Sequence, residues 1–210
     1  TKINKNKITV IYPHIENIFN ESRINKKKIS LNYKLPINKK KIIVFDTSFY
    51  KNYKYSFKLF LELQKKNKNI ILIKIGNHSE INNKDNILNS VYNFNFLSRH
   101  QMSEIYKISD LLLFPSLYEG FGIPCMEAMK TGLPVVASNK GSLKEILSSK
   151  SVFNLSKKKI IIKHILKLFS DKKYLKKHIK ISKKHSSNFQ NLSYRHQVRE
   201  VYKKVLKINS

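Results

Sequence analysis

A chain of 210 residues that is 41% hydrophobic can bury one sizeable core, and a single domain is the default reading. One cysteine, Cys125, excludes an internal disulfide framework and points to a reducing compartment; no apolar run reaches the roughly 20 residues that span a bilayer, and no signal peptide is visible. The net charge of +29 is extreme but unevenly placed: residues 98–150 hold 6 Lys/Arg and 5 Asp/Glu, against 19 and 6 in residues 1–97 and 17 and 2 in residues 151–210.

The basic excess therefore flanks the stretch that carries the motifs. Lys, Asn and Ile are abundant together, as an AT-rich coding bias produces, and most of the basicity reads as that bias. A functional reading stays open beside it, namely attraction to anionic partners such as membranes, nucleic acid or anionic donors. The chain starts at Thr1 rather than Met, so it is open to being a piece of a longer protein.

Taken in order, Lys7 to Tyr12 (KITVIY) alternates as a strand does, and Pro13 ends it. Asn20 to Lys41 is polar and basic and reads as a loop around Leu31 to Pro36. Lys41 to Phe45 is a strand. Tyr53 to Lys66 carries apolar residues on a 3.6-residue period and reads as a helix, and Asn69 to Ile75 is a strand ended by Gly76. Strand, helix and strand predict a right-handed βαβ unit. His78 reads as an exposed loop histidine and Asn82 to Asn86 as a turn. Val91 to Phe96 interleaves Tyr92, Phe94 and Phe96, which suits a strand packed on one face better than an RNA-stacking platform. Ser103 is placed to cap the helix that follows.

Ser109 to Leu147 organises the rest. Leu111 to Phe114 is a continuous apolar strand; Gly120 and Gly122 bracket Phe121 in a loop; Pro124 stands at a helix start and Gly132 just past its end. Pro134 opens a second strand, Val135 to Ala137, and a short helix follows. This is a second βαβ unit, so the fold class is α/β with a parallel sheet. Its glycine loop lies at the carboxyl ends of the strands, where open α/β sheets bind ligands. Free N–H groups at the helix start, near Ile123 to Met126, favour phosphate. Glu119 and Glu127 frame the loop. Carboxylates suit sugar hydroxyls rather than phosphate, so phosphate plus sugar describes a nucleotide or nucleotide sugar. Cys125, inside this helix, reads as a packing residue rather than a nucleophile. Beyond it come a short strand in Ser151 to Leu155 and helices over Lys158–Phe169, Lys172–Lys184 and Tyr194–Ile208. His164, His178, His185 and His196 have no partners at metal-ligand spacing, so no metal site is expected. There are no repeats and no Walker loop.

The run Glu119-Gly120-Phe121-Gly122-Ile123-Pro124-Cys125-Met126-Glu127, with Ala128-Met129, Gly132-Leu133-Pro134-Val135-Val136-Ala137-Ser138 and then Gly141, Ser142 and Glu145, resembles the donor-binding signature of retaining GT-B glycosyltransferases of family 4, the glycosyl transferases group 1. The resemblance covers nearly all of the chain and implies one Rossmann-like domain over 1–210, the C-terminal half of a GT-B fold, with a lead-in segment at 1–40 and a closing helix at 192–208. It places the donor sugar on Glu119, the catalytic residue, and the ribose on Glu127. It gives the diphosphate to Gly120, Phe121, Gly122 and Ile123, with Lys51 of Lys51-Asn52 helping to neutralise it. Gly76, Leu97 and Arg99 fall near the base. The chain departs from the pattern in three places. His14 stands where a glycine is usual, Asp46 follows its strand where the family has glycine, and the family's arginine is unmatched.

The implied function is a donor domain that binds a nucleoside-diphosphate sugar for retaining transfer to an acceptor glycan, lipid or protein held by an N-terminal domain absent here. No metal or other cofactor is implied, nucleic acid is not expected as a partner, and the location implied is cytoplasmic or peripheral at the cytoplasmic membrane face. The second reading is a degenerate or split GT-B domain that binds an anionic membrane or RNA and transfers nothing.

Overall fold

The computed structural model describes residues 7–77, 88–189 and 194–206. Six parallel strands form one sheet: β1 (Lys40–Phe45), β2 (Ile70–Ile75), β3 (Val91–Phe94), β4 (Leu111–Phe114), β5 (Val135–Ser138) and β6 (Val152–Phe153), in the order β3-β2-β1-β4-β5-β6. The helices are α1 (Lys26–Asn32), α2 (Tyr53–Lys66), α3 (Arg99–Ile108), α4 (Ile123–Lys130), α5 (Leu143–Ile146), α6 (Lys158–Ser170), α7 (Lys172–Ser186) and α8 (Tyr194–Leu206).

Ile42–Phe45, Ile70–Ile73, Leu111–Phe114 and Val135–Ala137 are continuous apolar runs because both faces of the sheet are covered there. Successive residues go to opposite cores. Ile43, Ile71, Ile73, Leu112, Phe114, Val135 and Ala137 join the cluster under α3, α4 and α5. Ile42, Val44, Ile70, Leu72, Leu113 and Val136 join the cluster under α2 and α6. The chain first builds outward through β2 and β3, then α3 carries it back to β4 beside β1. The strand order reverses between β1 and β4, and the loops that leave their carboxyl ends flank a crevice. The expected parallel α/β sheet is therefore present, with both βαβ units in place.

Four expectations need correction. Lys7 to Tyr12 forms no strand: Ile8 and Val10 are exposed, and no ladder partner pairs them. Its last residue, Tyr12, packs 5.0 Å from the Phe189 ring, and the chain just beyond is anchored by buried Ile15 and Phe19 and by Lys130 Nζ donating to Ile15 O at 2.6 Å. The loop read at Asn20 to Lys41 contains α1, capped by Asn25, whose side chain accepts from Lys28 N at 3.0 Å; its lysine run hides the periodicity. Ser103 is not a cap. Ser98 caps α3 in a reciprocal box with Gln101, while Ser103 is buried and donates to Ile18 O. The third strand stops at Phe94, and Phe96 is 86% exposed. His78 and the turn at Asn82 to Asn86 lie outside the described residues, as do the ends of the 192–208 helix beyond α8.

Candidate functional site

The β1–α2 and β4–α4 loops are stitched together across the reversal point. Leu117 N donates to Tyr50 O at 2.8 Å, and Asn52 Nδ2 donates to Pro115 O at 3.1 Å. Asn52 itself sits at φ 58°, a left-handed conformation that asparagine tolerates better than most residues, and starts α2 from there. This fixes the preceding turn, Phe49–Lys51, so that Lys51 Nζ donates to Glu119 Oε1 at 2.7 Å. The ammonium also lies 4.7 Å from the Phe114 ring centroid. Both side chains of the pair are about nine-tenths buried, at 10% and 9% exposure.

Glu119 is positioned by backbone contacts from the next loop. Ser142 Oγ donates to Glu119 O at 3.1 Å, and a Cβ on Gly141 would stand 2.9 Å from that same oxygen, so only glycine lets the two loops approach. Gly122 starts α4 at φ 88°, and its carbonyl accepts from Cys125 N and Met126 N. A Cβ there would meet Leu143 at 2.7 Å. Gly120 is exposed, and a Cβ there would meet nothing within 4 Å. Phe121 packs against the larger core with its ring 5.7 Å from Tyr12, whose hydroxyl donates to Glu145 Oε1 at 2.7 Å. Ile123 is exposed at the helix start.

Glu127 is buried, at 3% exposure. Arg99 Nη1 donates to its Oε1, and Tyr106 Oη to its Oε2 at 3.2 Å. Arg99 is the first residue of α3 and Tyr106 lies two turns on, so both reach α4 from one helix face. The guanidinium also bonds Glu16 at 2.8 Å through Nε and stacks 4.7 Å over Phe19. Burial raises the Glu127 pKa above its ordinary value, and Arg99 and Tyr106 pull it back. Cys125 lies within the field of both sites. Burial pushes its thiol well up, Glu119 and Glu127 add to that, and Lys51 opposes it, so it is held as a neutral thiol.

The two other residues expected near the base, Gly76 and Leu97, lie at the end of β2 and in the loop before α3. Gly76 follows β2 directly, with its N–H donating to Phe94 O at 2.8 Å, and a Cβ there would stand 2.6 Å from Asp46 O. Leu97 packs half-buried into the core. Asp46 stands where the resemblance expects glycine, and its Oδ2 lies 2.9 Å from the buried Lys74 Nζ. Sequence reading passed over Asn52, Tyr106, Gly141, Ser142, Glu16 and Lys74 as site residues. The spacing of Arg99 and Tyr106 on one helix face was a readable signal; a lysine inside an otherwise apolar strand was another. Among the described residues, no group of three or more His, Cys, Asp or Glu is placed to hold a metal ion.

A family model for the glycosyl transferases group 1 matches residues 25–185, which contain every residue of this site except Tyr12, Glu16 and Phe19. The chain belongs to that family. An uncharacterized 41.2 kDa protein in the cps region of Klebsiella pneumoniae is 32% identical over 151 residues, covering 70% of this chain and 40% of that protein. The C-terminal domain of a glycosyl transferase group 1 family protein, LpcC, from Francisella tularensis superposes with a TM-score of 0.65 at 18% identity, over 81% of this chain and 95% of that domain. Alr3699/HepE from Anabaena, solved in complex with UDP-glucose, superposes with a TM-score of 0.71 at 17% identity, over 95% of this chain and 57% of that one. The chain thus spans less than half the length of the Klebsiella relative and about a whole C-terminal domain of a GT-B glycosyltransferase.

Proposed function

We propose that this domain binds a nucleoside-diphosphate sugar and serves as the donor half of a retaining glycosyltransferase. The observation that carries the reading is the pairing of Lys51 with Glu119 at the reversal point, beside the free end of α4, inside a family known by its glycosyl transfer. In this reading the diphosphate sits over the Gly120–Ile123 amides, where the helix terminus favours negative charge. Lys51 turns part of its charge from Glu119 to the departing diphosphate. Glu119, released from a one-to-one pair, accepts hydroxyls of the donor sugar and positions it. Glu127 accepts the ribose hydroxyls, with Arg99 holding it ionised in a buried setting. The protein's share of the chemistry is electrostatic stabilisation of the leaving group and orientation of the sugar. These side chains supply the neutralising charge without a metal. The acceptor, whether glycan, lipid or protein, is held by a second domain, and an anionic membrane surface is a proposed partner. The reading as a binding module that transfers nothing is not favoured, because the donor loop keeps both carboxylates and its glycines.

Calorimetric titration with UDP, GDP and ADP at about 0.15 M salt, with Glu127→Ala alongside, tests this. One diphosphate should bind better than the others and lose affinity in the variant. Equal, weak and salt-sensitive binding of all three, unchanged by Glu127→Ala, overturns the donor reading.

A further inference from the structure

We infer that the outer face of the α6–α7 hairpin is a docking surface for an anionic lipid membrane. The two helices are joined by the single residue Asp171. On α6, Lys159, Lys163 and Lys167 recur every four residues and are all exposed. On α7, Lys173, Lys176 and Lys180 follow at three and four residues, again all exposed. Lys167 Nζ lies 4.6 Å from the Tyr174 ring centroid in the first turn of α7, which ties the two rows together. At 1.5 Å per residue the α7 row runs along a helix about 22 Å long.

Coding bias explains many lysines but not the absence of acids here. Within α6, α7 and their joint the one acid is Asp171, and its carboxylate is taken by capping α7 through Tyr174 N at 2.8 Å. Lys158 and Lys183, at the margins, pair with Glu62 and Glu21. None of the six row lysines has a carboxylate partner among the described residues, so the face presents uncompensated charge. Its chemistry favours a lipid surface over a nucleic acid. It is built from lysine, a hydrated point charge, with no arginine fork and no exposed aromatic ring for stacking. Ile160, beside Lys159, is 54% exposed and available to the headgroup boundary. Six exposed lysines on two adjoining helices are a basic cluster of the size that anionic headgroups attract. No helix among the described residues is long and apolar enough to cross a membrane, so contact would be peripheral.

The test is co-sedimentation of the chain with phosphatidylcholine vesicles, with and without a quarter phosphatidylglycerol. Lys163→Gln/Lys173→Gln/Lys176→Gln/Lys180→Gln is compared with Lys26→Gln/Lys27→Gln/Lys28→Gln/Lys34→Gln, which removes the same charge elsewhere. The parent should bind only the anionic vesicles, and the first variant should lose at least about a hundredfold in partitioning, since each lysine near the surface contributes about fivefold. The control should stay within about threefold of the parent. Equal losses in both variants, no vesicle binding, or tighter binding to a single-stranded RNA than to the vesicles overturns the proposal. Thermal melts of both variants should match the parent, because these side chains touch nothing that holds the fold. Vesicle binding is read without nucleotide, so it stands or falls apart from the donor reading.

Discussion

Lys51 and Glu119, 68 residues apart in sequence, form a 2.7 Å ion pair at the point where the strand order reverses. The pair is nine-tenths buried, so removing one member leaves the other charge without its partner in a poorly solvated place. Lys51→Met should destabilise the domain by roughly 3 kcal/mol in urea unfolding. The double variant Lys51→Met/Glu119→Gln should recover most of that loss. Nucleotide binding should separate the two residues. Lys51→Met should weaken UDP or GDP itself, whereas Glu119→Gln should spare the free diphosphate and weaken the nucleotide sugar. Parallel losses for both ligands in both variants would mean that the pair only holds the loops together.

The sheet was largely legible because each central strand carries an apolar run of at least three residues, broken only by Lys74 in β2, and is bounded by a glycine, a proline or a polar turn. KIIVF, NIILIKI and LLLF allow little else. The lead-in segment was not legible. KITVIY has strand-like alternation, yet it pairs with neither edge of the sheet; its last residue, Tyr12, is held by Glu145, Phe121 and Phe189, and the stretch after it by bonds from Lys130 and Lys107 to the Ile15 and Ile18 carbonyls. The donor motif named Glu119, Glu127 and the glycine loop as a group. It could not show that each carboxylate already has a basic partner, since Lys51 and Arg99 come from other loops. Nor could it show that Gly141 and Ser142 hold the Glu119 backbone, because that depends on two loops closing on one another.

Glu127 offers a stability–function trade. Burial raises its folded pKa above the unfolded value, so its contribution is most favourable when protonated and declines as pH rises from the unfolded pKa through the folded one. At neutral pH the ionised carboxylate is therefore a cost that Arg99 and Tyr106 only partly offset. Glu127→Gln keeps the shape and removes the charge, and should raise Tm. If Glu127 accepts the ribose hydroxyls, the same change should weaken nucleoside diphosphate by roughly ten- to a hundredfold, as a charged acceptor is worth about 1.5–3 kcal/mol. A raised Tm with unchanged nucleotide affinity would take Glu127 out of the ribose site.

His164 and His178 should make the domain acid-sensitive. Their rings lie 5.3 Å apart in the α6–α7 interior, both are buried, and His164 Nδ1 bonds Tyr174 Oη at 2.9 Å. Burial lowers both pKa values to about 4; His178 and Lys150 add to the effect at His164, and a hydrogen bond with the Val135 backbone opposes it at His178. A histidine depressed on folding contributes stability that is present above its unfolded pKa near 6.5 and is lost as pH falls toward 4. Each contributes on the order of 3 kcal/mol, with the coupled pair worth less than twice that. Urea midpoints should therefore fall steeply between pH 6.5 and 4. A His164→Phe/His178→Leu variant should flatten that slope, and an unchanged slope would place the acid sensitivity elsewhere.

The two glycines of the Gly120-Phe121-Gly122 loop should behave differently, although the motif treats them alike. Gly122 sits at φ 88°, and a methyl group there would press on Leu143 at 2.7 Å, where α5 locks against the start of α4. Gly122→Ala combines a left-handed backbone with a core clash, and should cost about 1–3 kcal/mol while shifting the α4 amides. Gly120→Ala adds a methyl group that meets nothing within 4 Å, so folding stability should change by less than about 0.5 kcal/mol. Its effect should appear only in ligand binding, because the open side of Gly120 is the side from which a diphosphate would approach its backbone. Urea unfolding and nucleotide titration of the two variants separate these roles. If Gly120→Ala binds nucleoside diphosphate as the parent does, the diphosphate does not lie over Gly120, and its cradle must be formed by the α4 terminus and Lys51 instead.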